Sequence, residues 1–320
     1  MCIKKLILRF SYACLTTLTC LGLHGQENNK QFSTSYLDIA NDLFDAEALM
    51  QRVKFLSLDS LEGRKTGERG NLIARNYIIE QFKKHNVEPF SNNYLQPFSF
   101  ENRRDSKNYQ AANVLGLIKG SKYPEKYIVL SAHYDHVGII NGTIYNGADD
   151  DASGVSALFA LIEYLNKNPL KYSVIIAAFD AEELGLKGAQ HFLKSFPQAK
   201  ENILLNINLD MIGRNDDNQM FVVGANLHEE LKPLINDLKL PENFYLLSGH
   251  DGTDKKQNWT YSSDHGIFHK SNIPFLYFGV EDHEDYHEPT DDYENIQKVF
   301  YTKAVMTIIS VVERINYSLY

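Results

Sequence analysis

The sequence predicts an α/β fold in which a mostly parallel, mixed sheet is flanked by helices on both faces. Two observations support this prediction: the apolar composition of the predicted strands and their alternation with predicted helices. From residue 113 onward, short runs that are apolar at nearly every position alternate with segments of helical periodicity. Strands that are apolar throughout must be buried on both faces, and helices in crossover connections supply that cover. No repeat, low-complexity tract or linker interrupts the alternation, so we expect one domain over residues 26–320.

Ahead of this alternation, residues 45–112 are predicted to form two helices and a surface excursion. Leu49, Val53 and Leu56 have helical spacing behind Asp45, which is placed as an N-cap. A glycine-rich turn over 63–70 precedes a second helix at about 71–85. Residues 87–112 are polar and irregular, and we expect them to lie on the surface, with room for an edge strand.

The predicted core elements follow in order. Strands are expected at 113–119, 126–132, 173–179, 203–209, 220–223, 244–247 and 274–278. Helices are expected at 155–165, 188–196, 227–240 (disturbed by Pro233) and 296–316.

Residues 1–25 have the pattern of a secretory signal peptide. Lys4, Lys5 and Arg9 precede a mostly apolar run of about 14 residues, which is short for a bilayer span. We therefore expect a secreted or periplasmic protein with no stable membrane insertion after signal removal. Lipoprotein anchoring through Cys20 is a minor alternative, because the preceding Thr17-Leu18-Thr19 matches the usual small-residue pattern poorly.

Cysteine content and charge exclude several classes of function. All three cysteines lie inside the predicted signal peptide, so the mature chain would lack disulfides, thiolate catalysis and cysteine-based zinc sites. Removing the three basic residues of the signal takes the formal net charge from −9 to −12, which argues against a nucleic-acid partner. The sequence does not indicate an oligomeric state.

Unusual polar residues follow four of the predicted strands, at the point where each strand ends. His133 follows the strand ending at 132, and Glu182 and Glu183 follow the strand ending near 179. Asp210 follows the strand ending at 209, and His287 lies in the acidic loop after the strand ending near 278. Open α/β sheets bind their ligands at this edge, so we expect these side chains to converge.

Three consecutive acids, Asp149 to Asp151, stand between glycines just before the helix at 155–165. A single Asp there is explained as a helix cap, and each of the other polar residues alone has an ordinary explanation as a turn or a solvated helix start. Together, however, the carboxylates would be costly to bury without a cation, since no basic residue is placed to pair them.

The donor types indicate which cation is expected. Two histidines and three carboxylates without a thiolate suit zinc first, then manganese or cobalt. If one carboxylate bridges, five residues can hold two metal ions, which is the composition of a two-metal hydrolase. The remaining Glu of the 182–183 pair would then be free to act as a base. The spacing does not choose among the three consecutive acids.

Five motifs, in this order, resemble peptidase family M28, which includes bacterial aminopeptidases with two co-catalytic zinc ions. The motifs are Ala132-His133-Tyr134-Asp135-His136, Gly147-Ala148-Asp149-Asp150-Asp151-Ala152-Ser153-Gly154, Ala181-Glu182-Glu183-Leu184-Gly185, Asn208-Leu209-Asp210-Met211 and Tyr286-His287-Glu288-Pro289-Thr290-Asp291-Asp292. The resemblance runs from about residue 62 to the end of the last helix, and it implies the three-layer sandwich of zinc exopeptidases.

The resemblance implies a metal ligand set. Asp150 would bridge two zinc ions. His133 and Asp210 would complete one site, and Glu183 and His287 would complete the other. The family also has a cis peptide bond after the bridging acid, which here would join residues 150 and 151.

The remaining motif residues receive other roles from the resemblance. Glu182 would be the general base, and Asp135 would accept a hydrogen bond from the second ring nitrogen of His133. Asp149 and Asp151 would supply only background charge and the helix start. Tyr261, in the segment 258–265 that resembles the family's Ser-Asp-His segment, is a candidate for stabilising an oxyanion, with a packing role as the alternative. His136, His250, His265 and His283 stay unassigned.

The function implied is hydrolysis of the N-terminal bond of peptides or proteins by a water molecule that two zinc ions activate. An acidic site suits a protonated α-amine, which favours an aminopeptidase over other exopeptidases. A glutaminyl cyclase, which is a single-zinc acyltransferase of similar fold, is the main alternative. A catalytically silent, peptidase-like binding domain is a further one. One departure is that the mature chain cannot form the disulfide that some family members have near the substrate site.

Overall fold

The computed structural model describes residues 37–90, 92–253 and 255–319. The predicted signal peptide at 1–25, with Cys20, lies outside the described residues. Three helices come first: α1 (37–43), α2 (Ala46–Leu56) and α3 (Arg69–Lys84). The Asp45 carboxylate accepts hydrogen bonds from the backbone N–H groups of Glu47 and Ala48, so the predicted N-cap of α2 is confirmed.

Eleven strands and five helices follow among the described residues. The strands are β1 (Glu88–Pro89), β2 (Leu95–Asn102), β3 (Lys107–Ile118), β4 (Tyr123–His133), β5 (Gly138–Ile140), β6 (Thr143–Tyr145), β7 (Tyr172–Phe179), β8 (Ile203–Leu209), β9 (Gln219–Val223), β10 (Tyr245–Ser248) and β11 (Phe275–Gly279). The helices are α4 (Gly154–Lys167), α5 (Lys187–Lys194), α6 (Lys232–Ile235), α7 (His265–Lys270) and α8 (Lys298–Ser318).

One mixed sheet organises the described residues. Its strand order is β1-β3-β7-β4-β8-β11-β9-β10, and β2 pairs with β3 beside β1. The four central strands β7, β4, β8 and β11 are parallel, whereas β3 is antiparallel to β7 and β9 is antiparallel to β11. The predicted sandwich fold is confirmed, and its centre brings the carboxyl ends of four neighbouring strands to one edge.

The core lies on both faces of this sheet because the central strands are apolar at successive positions. On β7, Val174, Ile176 and Ala178 join the large cluster that packs against α2, α3, α4 and α8. The intervening Ile175 and Phe179 join the smaller cluster that packs against α5 and α7. This alternation is the physical basis of the three layers. Within the described part of the chain, no helix is both long enough and apolar enough to cross a membrane.

Two sequence predictions about secondary structure are wrong. Residues 87–112 contain the edge strand for which the sequence left room, but they are not otherwise irregular, because β2 pairs antiparallel along its whole length with the first part of β3. Since β2 is an edge strand with exposed positions, its polar composition did not reveal its bounds. The helix expected over 227–240 is reduced to a turn at Glu229–Leu231 and the single turn α6, with Pro233 at the start of α6 and Asn236 in an extended conformation at its end. The sequence prediction also missed α7 and the β5–β6 hairpin.

Candidate metal centre

The predicted polar residues meet at the carboxyl edge of the four central strands. His133 is the last residue of β4, and Asp210 directly follows β8. Glu182 and Glu183 lie in the turn after β7, and His287 lies in the loop between β11 and α8. Because these strands are neighbours and parallel, side chains from four distant parts of the sequence face one space.

Asp150 lies at the centre of this group. It belongs to the helical turn Ala148–Ser153 that leads into α4, and the implied cis peptide bond between Asp150 and Asp151 is present. One carboxylate oxygen, Oδ1, is 3.2 Å from Nε2 of His133, and the other, Oδ2, is 3.1 Å from Nε2 of His287. The two oxygens of one side chain therefore face two different groups of residues.

Each of these two groups contains a further carboxylate. Nε2 of His133 lies 3.6 Å from Oδ1 of Asp210. Nε2 of His287 lies 3.4 Å from Oε1 of Glu183. The structure thus brings together all five residues that the sequence proposed as metal ligands, with Asp150 shared between a His133–Asp210 group and a Glu183–His287 group.

The two acids beside Asp150 have their oxygens occupied by other partners. Asp151 accepts hydrogen bonds from the backbone N–H groups of His133, Gly154 and Met211. It therefore starts α4, as expected, and also ties the ends of β4 and β8 together. Asp149 accepts from the backbone N–H of Gly213 at 2.6 Å and contacts Nε2 of His283 at 2.9 Å. The expectation that Asp149 is only background charge is wrong, because it links the Asp150 segment to two loops.

Asp135 supports the cluster in a way that differs from the sequence expectation. Nδ1 of His133 donates to the backbone oxygen of Asp135 at 3.1 Å, while the Asp135 carboxylate is farther, at 3.7 Å. Since a carbonyl oxygen can only accept, this bond keeps the proton on Nδ1 and leaves the Nε2 lone pair directed to the cluster. The Asp135 carboxylate instead accepts from the backbone N–H groups of Glu182 at 3.0 Å and Glu183 at 3.3 Å. Asp135 thereby orients the histidine and the two glutamates at once.

Burial and neighbouring charges shift the ionisation of the cluster. Burial raises the pKa of Glu182 well above its ordinary value; the charge of His133 opposes this, and Asp264 reinforces it. Burial also acts to raise the pKa of Asp150, but the surrounding imidazoles, His136 first, hold that pKa well below its ordinary value. For Glu183, burial and Asp150 are outweighed by two imidazoles, which lower its pKa to about 2.

These properties fit a bound metal ion. The donor atoms are imidazole nitrogens and carboxylate oxygens, which is a ligand chemistry that zinc accepts. Oε1 of Glu183 is buried and makes no hydrogen bond among the described residues, although a buried acceptor normally has a partner. The cleft over the cluster has no Lys or Arg among its described lining residues.

A small cleft covers the cluster and encloses about 200 Å³. Its lining combines the cluster with Trp259, Tyr277, Tyr286 and Asp282. Tyr261, the sequence candidate for an oxyanion contact, is not part of this lining. Its side chain is exposed and packs against His269 and Lys270 of α7, so the structure does not bring it to the cluster.

Sequence reasoning missed three residues that hold or adjoin the cluster. Arg64 is fully buried and donates to backbone carbonyls on either side of the centre, including those of Gly147 and Asp150. Asp291 accepts the backbone N–H of Asp149 at 2.8 Å and of Asp150 at 3.0 Å. His136 lies with Nδ1 2.9 Å from Oε1 of Glu183. His136 and Asp291 carried a sequence signal, since His136 stands three residues after His133 in one motif and Asp291 stands four residues after His287 in another.

Comparisons with known proteins bear on the family of this chain. The model described as "Peptidase family M28" matches residues 113–312. Aminopeptidase YwaD of Bacillus subtilis is 28% identical over 206 residues, which cover 60% of this chain and 42% of that protein. The chain spans only about half or less of the length of such relatives.

Solved structures show the same fold at low identity. BSAP, a zinc aminopeptidase from Bacillus subtilis, superposes with a TM-score of 0.68 at 17% identity, covering 84% of this chain and 95% of that one. The glutaminyl cyclase of Porphyromonas gingivalis superposes with a TM-score of 0.68 at 17% identity, covering 85% of this chain and 99% of that one. Since the two scores are equal, fold similarity does not distinguish hydrolysis from cyclisation.

Proposed function

This chain belongs to peptidase family M28, and we propose that it is a zinc-dependent aminopeptidase that hydrolyses the N-terminal bond of peptides with two zinc ions. The main support is the position of Asp150, whose Oδ1 lies 3.2 Å from Nε2 of His133 and whose Oδ2 lies 3.1 Å from Nε2 of His287. His133 and Asp210 would hold one ion, Glu183 and His287 the other, and Asp150 both. A single-zinc acyltransferase would not require this complete set.

Bound zinc would supply Lewis acidity, lowering the pKa of water and polarising the scissile carbonyl. Glu182 is the residue suited to moving the proton. Burial raises its pKa well above the ordinary value, so its carboxylate can take a proton from the attacking water and hold it. The same proton then passes to the leaving amine. Asp135 fixes the peptide N–H of Glu182 and so keeps this side chain at the cleft.

The cleft supports an exopeptidase that recognises an amine. Its volume of about 200 Å³ lies below the roughly 300–1,000 Å³ of sites that hold drug-sized ligands, which suits one terminal residue. A carboxypeptidase would need a cation for the substrate's terminal carboxylate, and no Lys or Arg is among the described lining residues. The acidic lining, with Asp282 at the rim, suits a protonated α-amine instead.

We also propose that residues 1–25 direct export of the protein. The basis is the basic start and short apolar run of this segment. The mass of protein recovered outside the cytoplasm should correspond to a chain lacking about 25 residues. An exported protein with its original N-terminus intact would contradict this proposal.

Glu182→Gln tests the proposed role of Glu182. We expect the variant to keep its zinc content while kcat on aminoacyl chromogenic substrates falls by about 10²–10⁴-fold, as for loss of a general base. Glu201→Gln is the matched control, because Glu201 is exposed and lies in the turn before β8, at the opposite edge of the sheet. A Glu182→Gln enzyme with unchanged kcat would refute the assignment.

Substrate and metal assays separate the proposed activity from the alternatives. Acetylation of the substrate's α-amine should abolish cleavage, and a zinc chelator should remove activity that added zinc restores. Equal cleavage of acetylated and free substrates would refute an aminopeptidase. One zinc per chain together with cyclisation of N-terminal Gln would identify the protein as a glutaminyl cyclase instead.

A further inference from the structure

His136 is a buried histidine whose ring nitrogens have no hydrogen-bond partner among the described residues. Its ring packs against the backbone of Gly147, where a Cβ atom would come within 2.6 Å of the imidazole. On another side it faces the ring of His287, with 5.8 Å between centroids. A buried polar group without a partner costs about 1–3 kcal/mol, so a fixed imidazole in this state requires an explanation.

The surroundings of His136 place its Nδ1 atom among the donors proposed above for the metal centre. Nδ1 is 2.9 Å from Oε1 of Glu183 and 3.7 Å from Oδ2 of Asp150. Nε2 of His287 is 3.4 Å and 3.1 Å from the same two oxygens. Nδ1 of His136 and Nε2 of His287 thus lie beside the same two carboxylate oxygens. His136, Asp150 and Glu183 also form a triad with the spacing that a metal ion requires.

These four nitrogen–oxygen distances are close to those between ligand atoms of one zinc ion. Bonds of about 2.0–2.2 Å at tetrahedral angles separate ligand atoms by about 3.3–3.6 Å. The four measured separations, from 2.9 to 3.7 Å, bracket that range. The shortest is not an aligned hydrogen bond, because Nδ1 of His136 and Oε1 of Glu183 are both without one. A shared cation would satisfy both of these buried atoms.

We propose that His136 is a fourth protein ligand of the zinc ion held by Asp150, Glu183 and His287. This inference rests on the two-zinc function proposed above and adds a residue to it. His136, Asp150, Glu183 and His287 would offer four protein donors, as in structural zinc sites, whereas His133, Asp150 and Asp210 would offer three. The two sites are therefore unequal: the four-donor site binds zinc more tightly, and the three-donor site is the one that exchanges ligands.

Zinc titration of variants tests this proposal without measuring activity. Wild type, His136→Ala and His136→Gln are compared by competition with a chromophoric chelator and by elemental analysis. His265→Ala is the matched control, since His265 is also fully buried with an unpartnered ring nitrogen, while its other ring nitrogen bonds the backbone oxygen of Trp259, away from the metal ligands. Circular dichroism establishes that each variant is folded.

We expect wild type and His265→Ala to bind two zinc ions, with one tighter than the other. In both His136 variants the zinc affinity of the tighter site should fall by more than about 100-fold, while the other site keeps its affinity. The threshold is set above the loss of about 10–100-fold that follows removal of a residue that only supports a ligand. Affinities within tenfold of wild type in His136→Ala would overturn the proposal. So would full affinity in His136→Gln, which would make His136 a hydrogen-bond donor to Glu183.

The same titration separates this inference from the proposed function. If wild type binds only one zinc ion, the two-zinc function is overturned, and the His136 variants still decide whether His136 is a ligand of that ion. If wild type binds two ions and the His136 variants bind them equally well, only the role of His136 is overturned.

Discussion

Arg64 offers a quantitative test of how the Asp150 segment is held. Its side chain is fully buried in the turn between α2 and α3. Each of its five guanidinium N–H groups has one backbone carbonyl acceptor, and the acceptors are those of Leu56, Tyr134, Asn146, Gly147 and Asp150. One residue thus joins the end of α2, the end of β4 and the turn before α4. The perturbation we consider is Arg64→Lys, which keeps the charge.

The magnitude follows from counting donors. A lysine ammonium has three N–H groups, so at least two of the five carbonyls lose their donor. The carbonyl of Gly147 also accepts the backbone N–H of Ala152, so at least one buried carbonyl is left without any donor. A buried acceptor left unsatisfied costs about 1–3 kcal/mol, so we expect Arg64→Lys to lower the free energy of unfolding by at least this amount. Arg64→Met should cost more, because it also removes the positive charge that faces Asp150 and Asp291.

Urea unfolding of the metal-free protein measures this effect without a contribution from zinc binding. The chain has one tryptophan, Trp259 at the cleft, so fluorescence reports the site and circular dichroism at 222 nm reports the fold. Arg69→Lys is the control, because Arg69 is exposed and pairs only with Glu62 among the described residues, so a change within about 0.5 kcal/mol is expected. An Arg64→Lys protein within about 1 kcal/mol of wild type would refute the donor-counting argument.

Two further predictions concern Gly147 and His265. Gly147→Ala should destabilise the protein by more than about 3 kcal/mol, because φ is +60° and the new Cβ would lie 2.1 Å from the Asp150 carbonyl oxygen. Gly142→Ala is the control and should cost only about 1 kcal/mol, because φ is also positive, at +84°, but a new Cβ there would have nothing within 4 Å. Equal urea midpoints for the two variants would contradict this account. Burial lowers the pKa of His265 to about 3, so between that value and the ordinary 6.5 the unfolded chain binds one more proton than the folded chain. This contribution is present above pH 6.5 and is lost as pH falls toward 3, at up to about 1.4 kcal/mol per pH unit. The unfolding free energy of metal-free wild type should therefore fall more between pH 6 and pH 4 than that of metal-free His265→Gln. If both proteins lose the same amount, His265 titrates normally in the folded protein and this account is wrong.

The central strands were predictable because consecutive apolar residues indicate burial on both faces. The predicted strand 203–209 coincides with β8, and the strands predicted at 126–132 and 173–179 fall within β4 and β7. Polar residues that directly follow such strands must lie at the carboxyl edge of a parallel sheet. For this reason the convergence of His133, Asp210 and Glu183 could be predicted from the order of residues along the chain.

Elements at the sheet margin were less predictable, because exposed positions there accept polar residues. For this reason the sequence left room for an edge strand in residues 87–112 but did not predict the bounds of β2. The β5–β6 hairpin did carry a signal that was overlooked: Asn141 and Gly142, both with positive φ, form the Asn-Gly turn that favours a two-residue hairpin loop. α6 is short because tertiary packing and Pro233 override the apolar periodicity of residues 227–240.

The sequence alone determined which kinds of donor this protein has, that they follow successive parallel strands, and, through the family motifs, which five residues are candidate zinc ligands. The tertiary structure alone decided which carboxylates and imidazoles are free to bind. The oxygens of Asp149 and Asp151 are taken by N–H groups and by His283, whereas those of Asp150 face two histidines. His136 faces the cluster, and His265 does not. The reason is that the partners that occupy or release these atoms come from segments up to about 140 residues away, and local spacing does not encode contacts over such separations.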